Sequence, residues 1–276
     1  MTQINLNGII DLHIHSAPDI RPRSHNDIEL AQQAKNVGAR AFVIKSHHVP
    51  TMDRAWLLSQ MFPEVSVFGS LTLNLAVGGI NPYAVEAALH HGAKIVWLPT
   101  IHSTNHRHKE GKSGGIETVK DKRVIPELKN VLKLIADNKA ILGTGHLSPM
   151  EIFTVVEEAK KQGVQKIVVT HPEFHIVGMS LQEQKKIVED YEVYLERTYA
   201  QPIGGGKYQL NLNTNLEAVQ EVGYQSTIIS TDSGQIQNPP WNQALAQYIQ
   251  YFADNNVPTE ALDVMTKTNA AKLLDL

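Results

Sequence analysis

The chain has 276 residues, of which 42% are hydrophobic and 19% are charged, so it can bury a sizeable core and does not resemble a disordered protein. A formal net charge of −3 gives no basis for a nucleic-acid surface or a polybasic membrane patch. The absence of cysteine excludes disulfides, thiolate metal sites and a cysteine nucleophile, so any transition metal would have imidazole and carboxylate ligands.

Short β-branched apolar runs alternate with longer helical patterns along the chain, which is typical of a parallel sheet with crossover helices. The predicted strands cover 8–14, 40–46, 65–73, 93–99, 140–145, 165–171, 192–198 and 226–232. The seventh strand has an alternative in 207–213, because 181–199 could continue as one helix. This order predicts an α/β protein with a single (β/α)8 TIM-barrel domain over 1–276.

Several helices have clear sequence signals at their starts. Asn81 and Pro82 predict a cap and a first-turn proline for a helix that ends at Gly92. Capping boxes are predicted at three further helices, from Ser148 with Glu151, Ser180 with Glu183, and Thr214 with Glu217.

The segment 101–123 departs from the alternation, because it is polar, contains glycine and is long for a barrel loop. Two interpretations stay open, a mobile lid and a disordered surface insertion. His106 and His108 lie in this segment, and we expect them to be exposed to solvent. His90 and His91 lie at a predicted helix end, where a cation suits the helix dipole, so we expect a structural role for them.

Polar residues, histidine above all, follow the ends of most predicted strands, and barrel enzymes build their sites from these ends. From the first strand to the eighth they are His13 and His15; Lys45, His47 and His48; Asn74; Thr100 and His102; His146; His171, Glu173 and His175; Glu196 and Arg197; and Asp232. Each one has an ordinary structural explanation, such as a turn aspartate at Asp232 or a lysine that extends to solvent at Lys45. Their joint occurrence predicts a metal site. His13 and His15 are two residues apart, so their side chains should share one side of the strand.

The motifs DLHIHSAPD, GTGHLS, VTHPEFH and STDSG follow one another in an order that resembles the metal-dependent amidohydrolase superfamily. The ending MTKTNAAKLLDL is similar to the NPA-x-LLGL ending common there, with Ala270 where proline is usual. HSAPDIRPR, VGGINPYAVE and WLPT resemble a less characterised amidohydrolase-like branch. The resemblance implies a metal-binding barrel whose ligands are His13, His15, His146, His171 and Asp232.

The same resemblance implies a hydrolase that uses a metal-activated water on an amide, a lactone or a related C–N or C–O bond. One or two divalent ions are expected, Zn²⁺ first and Mn²⁺, Fe²⁺ or Ni²⁺ as alternatives. Asp232 would be the general base. The bridging residue usual after the fourth strand is missing from IVWLPT, so Lys45, His47 and His102 are candidates for a bridge or a second metal.

Other residues near the motifs are candidates for supporting roles. Arg21 and Arg23 are expected either to hold an anionic group of the substrate or to form surface salt bridges. Glu173 and His175 are expected to orient the neighbouring ligand, His171.

Two other functional classes stay open. DLHIHS and VIKSHH also resemble the phosphoesterases of the polymerase-and-histidinol-phosphatase type, although Asp232 is followed by Ser233 and Gly234 where those proteins usually have Asp-x-His. The other alternative is a non-catalytic metal-binding barrel. The start, MTQINLNGII, lacks the pattern of a secretory signal. We therefore expect a cytoplasmic protein with a small-molecule substrate and no nucleic-acid or membrane partner, and a homo-oligomer as an open expectation.

Overall fold

The computed structural model describes residues 4–276, so residues 1–3 of the predicted domain 1–276 lie outside the described part. The strands are, in chain order, β1 (Ile10–Ile14), β2 (Ala41–Ile44), β3 (Ser66–Phe68), β4 (Ser70–Thr72), β5 (Ile95–Trp97), β6 (Val119–Lys120), β7 (Arg123–Val124), β8 (Ile141–Gly143), β9 (Lys166–Val169), β10 (Tyr194–Arg197), β11 (Ala200–Gly204), β12 (Lys207–Leu210) and β13 (Thr227–Ile229).

Helices alternate with these strands along most of the chain, which confirms the predicted α/β class. They are α1 (Asp27–Asn36), α2 (Met52–Met61), α3 (Pro82–His90), α4 (Thr104–Lys109), α5 (Pro126–Asp137), α6 (Pro149–Lys161), α7 (Leu181–Tyr191), α8 (Leu212–Val222), α9 (Trp241–Asp254), α10 (Thr259–Asp263) and α11 (Asn269–Leu274). A 3₁₀ turn covers Leu75–Val77 and a π-helical turn covers Val264–Thr268. None of the helices found in residues 4–276 combines the length and apolar character that a bilayer crossing requires.

The helix starts follow the sequence signals in all but one case. Asn81 caps α3, and Ser148 and Ser180 form capping boxes with Glu151 and Glu183. The prediction for Thr214 is wrong, because α8 begins earlier, after Asn211. Asn211 is fixed there by its backbone N–H, which donates to the carbonyl of Tyr199 at 2.9 Å.

The chain divides into two compact units, and unit 1 comprises the residues up to Lys45, 53–69 and 197–276. In this unit β1, β2 and β3 form a parallel sheet in that order. The register of β1 on β2 shifts between Asp11 and Ile14. Large buried side chains, among them Phe42, Trp241 and Tyr248, form the core of the unit.

The structure distinguishes between the two segments predicted as candidates for the seventh strand. Residues 194–197 form β10, as first predicted, whereas β12 pairs antiparallel with β11 in a separate hairpin. The alternative assignment of 207–213 is therefore wrong. It failed because a hairpin strand and a sheet strand have the same alternating pattern, and only the partner distinguishes them.

Unit 2 comprises 46–52 and 70–196. Its parallel sheet has the order β10-β9-β8-β5-β4. A Cβ at Gly143 in β8 would lie 2.2 Å from Cε3 of Trp97 in β5, so the indole packs where only glycine leaves space. The strand predicted over 65–73 is divided at Gly69, because β3 pairs with β2 whereas β4 pairs with β5.

The segment 101–123 is folded, which contradicts the interpretation as a disordered insertion. It contains α4, strand β6 and the start of β7, which pairs antiparallel with β6. Ser103 caps α4 and pairs as an isolated bridge with Ile116. A role as a lid stays a prediction, as do the single domain and the closed barrel.

Candidate metal centre

The two histidines of the first motif lie together in unit 1. His13 is in β1 and His15 follows its end, and both are buried. Their ring centroids are 5.3 Å apart. The prediction that the two imidazoles share one side is thus confirmed.

Asp232 joins this pair from the loop after β13. Its Oδ1 lies 3.1 Å from Nε2 of His13 and 3.1 Å from Nε2 of His15. Within residues 4–276, these three residues form a group whose potential ligand atoms all lie within 4.8 Å of one another. Two imidazoles, each of which can bind through an unprotonated nitrogen, and a carboxylate are a donor set that suits a divalent transition metal.

Backbone contacts between β1 and the loop after β13 hold this geometry. The N–H of Asp232 donates to the carbonyl of His13 at 2.9 Å, and the N–H of His15 donates to the carbonyl of Ser233 at 2.8 Å. A Cβ at Gly234 would lie 1.9 Å from the carbonyl oxygen of His15, so glycine is required for this close approach.

A buried carboxylate that sequence reasoning left without a role, Asp11, supports the pair from the opposite end of β1. Its Oδ1 accepts from the N–H of His13 at 3.0 Å. Its Oδ2 accepts from Oγ1 of Thr231 at 2.7 Å and from Nε1 of Trp241 at 2.9 Å. Burial raises the pKa of Asp11 to about 6 against the opposing effect of these hydrogen bonds. Asp11 therefore links β1 and the loop after β13 to each other and to the buried Trp241.

The electrostatics favour the protonation states that metal binding needs. Burial, followed by the charge of Arg23, lowers the pKa of His15 to about 3, so its imidazole is neutral at physiological pH. For Asp232, burial acts to raise the pKa, but the charge of His13 and the hydrogen bonds from His13 and His15 outweigh it and hold the pKa well below its usual value. A neutral His15 and an ionised Asp232 are the protonation states in which these two groups bind a metal.

Lys45 reaches the same cluster. It is only 1% exposed, and its Nζ lies 3.0 Å from Nε2 of His13. The alternative interpretation, a lysine that extends to solvent, is therefore wrong, because the side chain is buried and its Nζ contacts His13. A bridging role for Lys45 stays a prediction.

The two arginines after β1 differ in their surroundings. Nε and Nη2 of Arg23 donate to Oδ2 of Asp19 at 2.8 and 2.6 Å. Side-chain exposure is 4% for Arg23 and zero for Asp19, so this is an enclosed ion pair rather than a surface one. Arg21 is exposed. Their predicted contacts with a substrate stay predictions.

The other predicted ligands lie in unit 2, around the buried ring of His146. The ring centroids of His171 and His47 lie 5.0 and 6.1 Å from that of His146. The ring of Phe174 contacts both His146 and His171, with centroid distances of 5.4 and 5.1 Å. His171 has a φ of +27°, a backbone conformation that residues other than glycine seldom adopt.

The remaining candidates of unit 2 have individual environments. Nδ1 of His47 lies 2.9 Å from Oγ1 of Thr100, which also accepts from Nδ2 of Asn74. The N–H of His102 donates to Oδ1 of Asn74 at 3.3 Å. Glu173 is half-buried, while His175 is exposed and packs on Phe174. Their predicted roles at a metal stay predictions.

The expectation for His106 is wrong. Its side chain is buried rather than exposed, and its ring stacks on that of His146 with a centroid distance of 4.8 Å. It was missed because a polar, glycine-containing loop suggests exposure, whereas α4 turns this one residue inward. His108, on the same helix, is exposed as expected.

Comparison with solved structures confirms the resemblance to amidohydrolases at the level of the fold. An amidohydrolase from Pseudomonas aeruginosa matches with a TM-score of 0.68 at 12% identity, over 97% of this chain and 95% of the other. A zinc-bound amidohydrolase from Burkholderia multivorans matches with a TM-score of 0.59 at 11% identity, over 97% and 99%. A 2,6-dihydroxybenzoate decarboxylase from Rhizobium matches with a TM-score of 0.58 at 10% identity, over 98% and 99%.

Sequence comparison is less informative about activity. A search of curated protein sequences finds no match. Residues 8–196 match a family described as "Family of unknown function (DUF6282)", and this span includes His13, His15, His146 and His171. The chain belongs to this family of unknown function, DUF6282.

Proposed function

We propose that the protein is a metal-dependent hydrolase of the amidohydrolase type, in which His13, His15 and Asp232 hold a divalent ion. The observation that carries the proposal is the approach of Oδ1 of Asp232 to within 3.1 Å of both Nε2 atoms. The donor set fits the ion, because His15 is neutral and Asp232 is ionised. Zinc is the first choice for two imidazoles and a carboxylate, and one structure of similar fold contains zinc.

His146 and His171 are proposed as further ligands, and the (β/α)8 barrel as the complete fold. Both parts rest on the order of the strand-end motifs in the sequence. Lys45, His47 and His102 are kept as candidates for a bridge or a second ion. Among them, Lys45 has the strongest support, since its Nζ is 3.0 Å from Nε2 of His13.

A bound divalent ion would supply a water whose pKa falls from about 15.7 towards 7. Asp232 remains ionised and lies beside both histidines, so it is the residue positioned to accept a proton and return it to the leaving group. Asp11 accepts a hydrogen bond from the backbone N–H of His13 and so helps to fix the backbone that carries this ligand. Arg21 follows β1 in the sequence, is exposed, and is proposed to bind an anionic group of a small-molecule substrate.

The metal half of the proposal is tested by elemental analysis of the purified protein, before and after chelation and reconstitution with Zn²⁺, Mn²⁺, Fe²⁺ or Ni²⁺. We expect close to stoichiometric metal in the wild type and loss of metal in His13→Gln and Asp232→Asn. His90→Gln is the matched control, because His90 is exposed at the end of α3. Equal loss in the control would contradict the assignment.

The catalytic half is tested with a panel of lactones, cyclic and linear amides, phosphomonoesters and aromatic carboxylic acids. Metal-dependent turnover of a lactone or an amide, absent in Asp232→Asn, supports the proposal. Exclusive turnover of phosphomonoesters would favour the phosphoesterase alternative. Release of CO₂ from an aromatic acid would make the protein a decarboxylase, as is the Rhizobium enzyme of similar fold. No turnover by the metal-loaded protein would favour the non-catalytic alternative.

A further inference from the structure

Helix α4 and the residue before it contact His146 directly through hydrogen bonds. Oγ of Ser103 and Nδ2 of Asn105 each donate to the carbonyl of His146 at 3.0 Å. Nδ1 of His106 lies 2.7 Å from Nδ1 of His146. One turn of helix thus holds both the backbone and the ring of a residue 40 positions later in the sequence.

The neighbour of His106 on the other side of its ring favours one position for the proton between the two histidines. Nε2 of His106 lies 3.5 Å from Oε1 of Glu110, one helical turn further along. Because an ionised carboxylate only accepts hydrogen bonds, this contact favours the neutral His106 tautomer that is protonated at Nε2 and has Nδ1 as its acceptor. With His106 in this tautomer, Nδ1 of a neutral His146 donates the hydrogen bond and Nε2 of His146 is the unprotonated nitrogen.

We propose that His106 is a positioning residue for His146: by accepting the Nδ1 proton it fixes the ring orientation and the tautomer of His146. The functional meaning of this inference rests on the proposed metal-dependent activity, because a neutral imidazole binds a metal through its unprotonated nitrogen. The segment 101–123 then serves to position the side chain of His146.

The competing explanation is simple packing, since the two rings also stack with an interplanar angle of 21°. Two variants separate these roles. His106→Phe keeps an aromatic ring for stacking but has no acceptor, whereas His106→Gln loses the ring but offers an amide oxygen to the Nδ1 proton of His146. His108→Ala is the control on the exposed side of the same helix.

The test is long-range ¹H–¹⁵N NMR on the metal-free full chain with ¹⁵N-labelled histidine, in which the His146 signals are assigned by their loss in His146→Gln. We expect the Nδ1–H tautomer of His146 in the wild type, in His106→Gln and in His108→Ala, and an Nε2–H or mixed population in His106→Phe. A wild-type His146 protonated at Nε2, or an unchanged tautomer in His106→Phe, would overturn the inference. Thermal unfolding of each variant verifies that it is folded.

Zinc affinity measured on the same variants separates this inference from the proposed function. We expect affinity to fall by about 10- to 100-fold in His106→Phe and to be largely retained in His106→Gln. A changed tautomer with unchanged zinc affinity supports His106 as the positioning residue and contradicts His146 as a ligand. An unchanged tautomer overturns the inference whatever the affinity.

Discussion

Asp11 and Trp241, 230 positions apart, are joined by a buried hydrogen bond from Nε1 of the indole to Oδ2 of the carboxylate at 2.9 Å. Asp11 lies two residues before His13, and Trp241 is the first residue of α9. The bond therefore connects the strand that contains His13 and precedes His15 with the helix that follows Asp232. This connection explains how a short motif at the start of the chain is kept in place by its distant end.

Replacing Trp241 by Phe should destabilise the protein by about 1–3 kcal/mol, because a buried carboxylate loses a donor. The free energy of unfolding from urea titration is the measurement. A double-mutant cycle with Asp11→Asn isolates the hydrogen bond from the change in ring size. Strictly additive effects of the two substitutions would contradict the coupling of these residues.

The buried Asp11 should also shape the pH dependence of stability. Its pKa is about 6 in the folded protein and 3.8 in the reference state, so the folded state holds the proton more tightly. As pH rises from about 4 to above 6, the unfolded state ionises first, and this group alone lowers the free energy of unfolding by about 3 kcal/mol.

Asp11→Asn lacks this contribution, so its stability relative to the wild type should improve by a similar amount between pH 4 and pH 7. Urea unfolding of the two metal-free proteins at both pH values measures the difference. The direction distinguishes Asp11 from a salt-bridged carboxylate, whose stabilisation is lost as pH falls. A relative stability that does not change with pH would show that Asp11 is not titrating in this window.

Gly234→Ala should lower the stability of the protein far more than a Gly→Ala substitution at a position with open space around it. The residue has a φ of +119°, and a new Cβ would meet the carbonyl oxygen of His15 at 1.9 Å. Gly205 is the matched control, because its φ is +58° and no atom lies within 4 Å of a Cβ there. We expect a loss of about 1 kcal/mol for Gly205→Ala and several times more for Gly234→Ala, measured by thermal unfolding. Equal losses would mean that the loop after β13 does not need this close approach.

Arg54 should stabilise the segment after His15. Its guanidinium donates to both carboxylate oxygens of Asp27, at 2.7 and 2.6 Å, and to the carbonyl of Ser16 at 2.9 Å. We expect Arg54→Met to lower the free energy of unfolding by about 2–3 kcal/mol, because a mostly buried carboxylate loses its partner. Lys35→Met is the control, since its ion pair with Glu64 is exposed and should have little effect on stability.

The strands and the histidines at their ends were predictable because both depend on local pattern. A period of two, flanking turn residues and capping boxes are written within a few neighbouring residues, as at Ser148 and Glu151. Asp11 and His106 were not predictable in the same way. The role of Asp11 depends on Trp241 and Thr231, far away in sequence, and that of His106 on the direction in which α4 packs on His146. Such contacts are properties of the tertiary fold and leave no local signature.

In the proposed metal centre, His13, His15 and Asp232 bind one divalent ion. The most direct measurement is titration of the metal-free protein with Co²⁺, followed by visible absorption, which reports the ligands around the ion. We predict a saturable spectrum with His90→Gln as with the wild type, and its loss or marked change in His13→Gln, His15→Gln and Asp232→Asn. An identical spectrum and affinity in these three variants would show that the ion binds elsewhere and that these residues are not its ligands.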